Sequence, residues 1–407
     1  MTADKKIIYY ITRWREGTAY KNINFMKDNF GGEIIADDIS QLKKRIKELK
    51  PELIVVRGDH RKDYQIALKH NIPYLLIEND VNSLRRGTKD MAQEREKIEN
   101  AAAIIFTSEE HMDYYKGVEK KYKWKLPYCE VIYTRPLKKD LDFEPKEKLK
   151  GLHLVYAGGL VTSWHRRKTH YGYRCYHKIF KEFIRAGWTV HLYSASYNTN
   201  KLSEYHDIGC IIHRNKPYKE LLKEMSQYTA GLHSYNKEGV PEKAYNYTQT
   251  CRGNKIWDYL AAGIPTIGYQ AGNGMKIYEG KWGIVIKDLK SETIKGIPKR
   301  LAKIKITKRM RKSNTVDRDL KKYKKVIEET IKADKKKKNK EPEYIPYRNK
   351  NGEPFPKCIV VTNKGPREIE RANRLFKPFE TTKPLIVNKR EWKEIKAHVG
   401  LLIKHLD

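Results

Sequence analysis

The sequence predicts an α/β protein built from two consecutive Rossmann-like domains, each an open parallel sheet with helices on both faces. Three observations carry this. Short apolar runs alternate with amphipathic stretches of helical spacing, the pattern of a sheet assembled by helical crossovers. The alternation pauses near residues 136–151 and then starts again. A chain of 407 residues is also longer than one hydrophobic core ordinarily organises.

The first half reads in order as a strand at Ile7–Ile11, a polar turn at 12–18 and a helix to Phe30. A strand at Glu33–Ala36 follows, then a helix at Ile39–Leu49 with Ile39, Leu42, Ile46 and Leu49 on one face. Further strands are expected at 53–56, 72–77, 102–106 and 131–133, with helices between them. The second half opens with a strand at Leu152–Ala157 that ends in Gly158-Gly159. Helices are expected at 176–186, 218–227 and Lys255–Ala262, and strands at 189–193, 210–213, 230–233, 265–268 and 283–286. Gly263 and Pro265 close the last helix, one as its C-cap and the other as a barrier to continuation.

Beyond Ser291 the composition changes. Residues 299–340 are dominated by Lys and Arg, with enough Leu, Ile and Val to support helices; the run Lys335-Lys-Lys-Lys-Asn-Lys340 reads as a solvated linker. A small α/β module is expected at the end, with strands at 358–362 and 384–387. The organisation is therefore two Rossmann-like domains (1–148 and 149–298), a basic helical segment with linker (299–342) and an appended module (343–407).

Composition narrows the partners. Lys and Arg number 85 against 50 Asp and Glu, a net charge of +35. Such a charge opposes compaction and favours polyanions: nucleic acid, an anionic membrane face or a polyphosphate polymer. The 5 cysteines are scattered, without a CxxC pair, which suits a reducing cytoplasm and gives no zinc or disulfide framework. The N-terminus does not read as a signal peptide, and no apolar run reaches the length of a membrane span, so a soluble cytoplasmic protein is expected.

The chemistry concentrates in residues 254–265, Asn-Lys-Ile-Trp-Asp-Tyr-Leu-Ala-Ala-Gly-Ile-Pro. A helix opening at Lys255 presents backbone N–H groups and a cation at its start, a favourable place for an anion, with the acid Asp258 one turn later. Lys255, Tyr259, Leu260, Ala261, Ala262, Gly263, Pro265 and Ile267 fall where the donor-binding segment of retaining GT-B glycosyltransferases has them. The stretch 218–232 resembles the same family, and the resemblance covers about Lys5 to Lys290. Asp258 stands where that family usually has Glu.

The resemblance implies a UDP-sugar or related donor, bound by Gly158, Gly159, Asn254, Lys255, Asp258 and Tyr259, with no metal required. It also implies cations near the glycine loop that stabilise the departing diphosphate, for which Arg166, Lys168 and Lys255 are candidates. On the acceptor side stand Arg13, Trp14, Arg57, His60 and Glu78. An inverting enzyme would need a base there, Asp59 or Asp80; a retaining one needs none, and the donor segment favours retention.

Charge selects among acceptors. A hydroxyl-bearing base in DNA, as in phage base glucosyltransferases, fits the excess of cations and the aromatic residues interleaved with them: Trp14 by Arg13, Trp164 by Arg166, and Tyr171 and Tyr173 by Arg174. An envelope polymer at an anionic membrane is the second expectation. A non-catalytic nucleic-acid-binding protein on the same scaffold is the third.

Overall fold

The computed structural model describes residues 6–11, 18–57, 61–86, 91–163, 171–194, 199–250 and 252–339, and three strands beyond them. The first domain runs β1 (Ile7–Ile11), α1 (Thr18–Phe30), β2 (Glu33–Ala36), α2 (Ile39–Leu49), β3 (Leu53–Arg57), α3 (Arg61–Lys69), β4 (Tyr74–Glu78), α4 (Asn82–Arg86), α5 (Met91–Asn100), β5 (Ala103–Phe106), α6 (Glu109–Tyr122) and β6 (Tyr128–Val131). Its strands pair in parallel in the order β2-β1-β3-β4-β5-β6. Every residue of β1, β4 and β5 is buried, because a parallel sheet is covered on both faces; the strands are apolar but for Glu78 at the end of β4.

The second domain runs β7 (Leu152–Ala157), α7 (His177–Arg185), β8 (Trp188–Tyr193), α8 (Thr199–Asp207), β9 (Ile211–His213), α9 (Tyr218–Met225), β10 (Ala230–Ser234), α10 (Glu242–Thr250), α11 (Lys255–Ala262), β11 (Thr266–Tyr269) and β12 (Gly283–Val285). Its parallel sheet has the order β12-β11-β10-β7-β8-β9. Each sheet reverses its strand order once, beside β3 in the first domain and between β7 and β10 in the second. A crevice opens at such a point beyond the carboxyl ends of the strands.

The basic segment departs from expectation. It forms α12 (Ser291–Lys295), α13 (Ile297–Leu301), α14 (Lys308–Ser313) and α15 (Leu320–Asn339), so helix continues through most of the stretch expected to be a linker. α15 crosses back to the first domain. Tyr323, Val326 and Ile327 are fully buried there with Ile7, Tyr9, Val55 and Ile105. Each buried side chain of this kind contributes roughly 1.5–3 kcal/mol. Arg135 pairs with Asp319, and the Lys138 amide donates to Asp317 at 3.1 Å, fastening the segment to the interdomain connection.

Among the described residues of the C-terminal module, β13 (Tyr344–Arg348), β14 (Pro354–Thr362) and β15 (Leu385–Val387) form a separate sheet in the order β13-β14-β15. β13 was not expected, and the strand expected at 131–133 lies earlier, as β6.

Candidate functional site

A cavity of about 310 Å³ opens between the two sheets. The first domain lines it from the ends of β3, β4 and β5 with Arg57, Asn79, Asp80 and Thr107. The second supplies Ala157, Gly158 and Gly159 after β7, Tyr235 after β10, Tyr247 from α10, and the run Arg252-Gly253-Asn254-Lys255 with Asp258 at the start of α11. Tyr156, Tyr173, Arg174 and Tyr176 complete the wall.

A Cβ at the cavity's glycines would crowd their neighbours. Gly158 has φ 154°, and a Cβ would approach the Tyr156 hydroxyl to 3.2 Å. A Cβ on Gly159 would stand 3.0 Å from an Arg174 nitrogen, and one on Gly253 would stand 3.0 Å from His233 Nε2. His233 is fully buried, hydrogen-bonded through Nδ1 to the Tyr278 hydroxyl at 3.0 Å. Burial, then Lys255 and Arg252, hold its pKa well below the ordinary value, so it is neutral.

Two cations in the cavity have aromatic partners and no carboxylate within ion-pair distance among the described residues. Lys255 Nζ lies 4.4 Å from the centroid of the Tyr156 ring and 3.2 Å from its hydroxyl. The Arg174 guanidinium lies 5.1 Å from the ring of Tyr171 and 5.5 Å from that of Tyr173. Aromatic faces orient these cations without cancelling their charge, which leaves them able to receive an anion beside the glycine loop. Arg252, by contrast, is neutralised by Glu110 at 2.5 Å.

Asp80 accepts from the Tyr247 hydroxyl on one oxygen and from Arg85 on the other. Burial raises its pKa, but Arg85 and the Tyr247 bond outweigh that and hold the carboxyl below the usual range. Both oxygens are engaged and the proton affinity is low, which is the opposite of what a general base needs. The expectation of Asp80 as base is corrected on this ground.

Two further expectations are corrected by burial. Glu78, at the end of β4, is fully buried in an ion pair with Lys97 and does not line the cavity. Tyr259 faces away from the cleft, since adjacent helical residues point about 100° apart. Its hydroxyl donates to the Leu232 carbonyl at 3.1 Å, and its ring occupies the space over Gly231, where a Cβ would lie 2.4 Å from it. Arg57, Gly158, Gly159, Asn254, Lys255 and Asp258 do line the cavity. Arg13, Trp14, Asp59, His60, Arg166 and Lys168 lie outside the described residues.

Arg174 and the tyrosines were not among the expected donor-site residues. Their one sequence signal is the interleaving of Tyr171 and Tyr173 with Arg174, a pattern that also suits nucleic acid. Among the described residues no group of three or more His, Cys, Asp or Glu is placed to hold a metal ion.

The sequence matches no protein-family model and no curated protein. Solved structures match by shape. A glycosyltransferase from Rickettsia africae aligns over 80% of this chain and 99% of its own, with 12% identity and a TM-score of 0.51. Sucrose-phosphate synthase from Thermosynechococcus elongatus aligns over 82% of this chain and 98% of its own, with 10% identity and a TM-score of 0.50. The chain has their two-domain fold. A pneumococcal O-GlcNAc transferase, solved with UDP and GlcNAc, is similar over 71% of this chain, at 14% identity and a TM-score of 0.49; the chain spans 60% of that protein's length. At these identities the likeness concerns architecture, and the chemistry of the cleft has to be argued from its own residues.

Proposed function

We propose that this chain is a glycosyltransferase, moving a sugar from a nucleoside diphosphate sugar, most simply a UDP-sugar, to an acceptor hydroxyl in the interdomain cleft. The observation that carries this is the pair Arg174 and Lys255, cationic and without a carboxylate partner among the described residues, beside the Gly158-Gly159 turn at the opening of α11. A diphosphate fits that arrangement: two cations, the close backbone approach that glycine allows, and helix N–H groups. Asp258 one turn along α11 suits the ribose.

In the reaction the acceptor oxygen bonds to the anomeric carbon, the bond from that carbon to the diphosphate breaks, and the leaving phosphate takes the acceptor proton. Arg174 and Lys255 stabilise the charge that develops on the diphosphate. With both oxygens of Asp80 engaged, the support for a retaining course, with the leaving phosphate as proton acceptor, is the donor-segment resemblance and the absence of a free carboxylate at Asp80.

The acceptor we propose is a hydroxyl-bearing base in DNA. The support is electrostatic. Lys299, Arg300, Lys303, Lys308, Arg309 and Lys312 are exposed along α13 and α14, and further exposed lysines follow on α15. Among the described residues of that stretch the only large apolar side chain exposed is Leu320, where a membrane-binding surface would present several. A protein of net charge +35 with such a surface suits backbone phosphates.

The experiment is to incubate the chain with radiolabelled nucleotide sugars, alone and with hydroxymethylated DNA, plain DNA or membrane fractions. Label in modified DNA that declines with salt supports the whole reading. Label only in membranes overturns the DNA acceptor. Neither hydrolysis nor transfer of any donor overturns the enzyme itself.

A further inference from the structure

The acid assigned above to ribose is held from across the cleft. Lys21 lies in the first turn of α1, in the first domain, and its Nζ is 3.4 Å from Asp258 Oδ1. The same Nζ sits 2.9 Å from the centroid of the Tyr218 ring, at the first position of α9. Tyr218 donates its hydroxyl to the same Oδ1. Asp258 Oδ2 has no hydrogen-bond partner among the described residues, and the carboxylate lines the cavity.

Lys21 is only 9% exposed, and a buried ammonium is rare unless paired. Burial lowers its pKa, which Asp258 and then Asp140, on the connection between domains, oppose. The network thus joins α1, α9 and α11 at one carboxylate oxygen, with Asp140 acting on Lys21 through its charge alone.

We infer that Lys21 is a positioning residue for the nucleotide ribose: it reaches from the first domain to pin Asp258 by one oxygen and present the other to the ribose hydroxyls. The inference rests on the donor reading above. It makes the ribose site composite, completed only when both domains stand as they do here. Pinning matters because an aspartate arm is one methylene shorter than a glutamate's, and a preorganised carboxylate loses less freedom on binding than a rotating one.

The test is calorimetric titration of the full chain with ribo- and 2′-deoxyribonucleoside diphosphates of uracil, cytosine, adenine and guanine, and with pyrophosphate. The native chain should bind at least one ribonucleotide about tenfold more tightly than its deoxy counterpart, the loss expected when a site's hydrogen-bonding group is left unpaired. Lys21→Met should bring that ratio close to one, while pyrophosphate affinity, set by Arg174 and Lys255, changes less than about twofold. Lys21→Arg should restore most of the ratio. If the Met variant fails to fold by circular dichroism, Lys21→Gln carries the same expectation. An unchanged ratio in the neutral variant overturns the role of Lys21 and leaves the donor reading intact. A native ratio near one overturns the ribose assignment of Asp258 and this inference with it, but not the diphosphate site. A native chain that binds no nucleoside diphosphate overturns both readings.

Discussion

At the scale of single residues, the cleft separates charge that is free to act from charge already spent. Glu78 with Lys97 and Arg252 with Glu110 are closed pairs, whereas Arg174 and Lys255 rest on tyrosine faces. Removing either free cation should therefore cost turnover more than stability. Lys255→Ala and Arg174→Gln should each lower kcat/KM for the donor by about 10²–10³, with little change in Tm, as is usual for loss of a group that stabilises transition-state charge. Steady-state kinetics beside a melting curve checks this; a wild-type kcat/KM in both variants would refute the placement. Asp80 makes a complementary prediction. Asp80→Asn should weaken the hold on Arg85 and Tyr247 yet leave the acidic limb of the pH–rate profile where it is, because that carboxylate is not the base. Legibility at this scale was uneven. Lys255 and Asp258 were visible because they fall in a continuous run that resembles a known donor segment. Arg174 gave only a nucleic-acid signal and Lys21 gave none, because their partners arrive from other elements.

At the scale of elements, helical and strand periodicity located most boundaries to within a few residues, as with α2 at Ile39–Leu49 and β7 at Leu152–Ala157. Where it misled, long-range contact was the cause. The basic stretch after Ser291 looks like a solvated face with scattered apolar positions, and only tertiary structure shows those positions on one stripe of α15 against the first sheet. Tyr323→Ala should thus destabilise the chain by about 3–5 kcal/mol, as for other large buried aromatics, although the residue sits among lysines. Chemical denaturation measures it; a cost below about 1 kcal/mol would mean that α15 is not part of this core. Gly231 offers a second check. Its Cβ would meet the Tyr259 ring at 2.4 Å, so Gly231→Ala should cost roughly 1–3 kcal/mol through overpacking.

At the scale of the molecule, burial of neutral histidines couples stability to pH. His111 and His191 are almost fully buried, and burial lowers the pKa of each to about 4 from an ordinary 6.5. The folded form keeps them neutral while the unfolded chain protonates them below 6.5, so their contribution is complete above that pH. It is lost as pH falls from about 6.5 toward 4, by at most about 1.4 kcal/mol per pH unit for each histidine. His191 also stands between His153 and His213, with ring nitrogens 2.9 Å apart on either side. One N–H per contact satisfies that row, and besides burial the neighbouring His213 and His153 rings disfavour a charged His191. Urea midpoints across this window should fall steadily, and His191→Gln should flatten the slope; a flat native profile would contradict the neutral assignment. Net charge acts at the same scale. DNA affinity should drop steeply between low and moderate salt, which filter binding or anisotropy can follow.

The alternation of apolar strand and amphipathic helix, restarting midway, was enough to determine two parallel α/β domains, and the continuous run 254–267 carries the family resemblance that suggested a donor segment. Both are local: one depends on periods of two to four residues and the other on an unbroken stretch, which the chain carries wherever it folds. The composite parts depended on approach through space. Arg174 on its tyrosines, the occupied oxygens of Asp80, α15 on the first sheet and Lys21 across the cleft each join residues far apart in sequence. Such encounters leave no period to read, because only the packed domains bring those partners together.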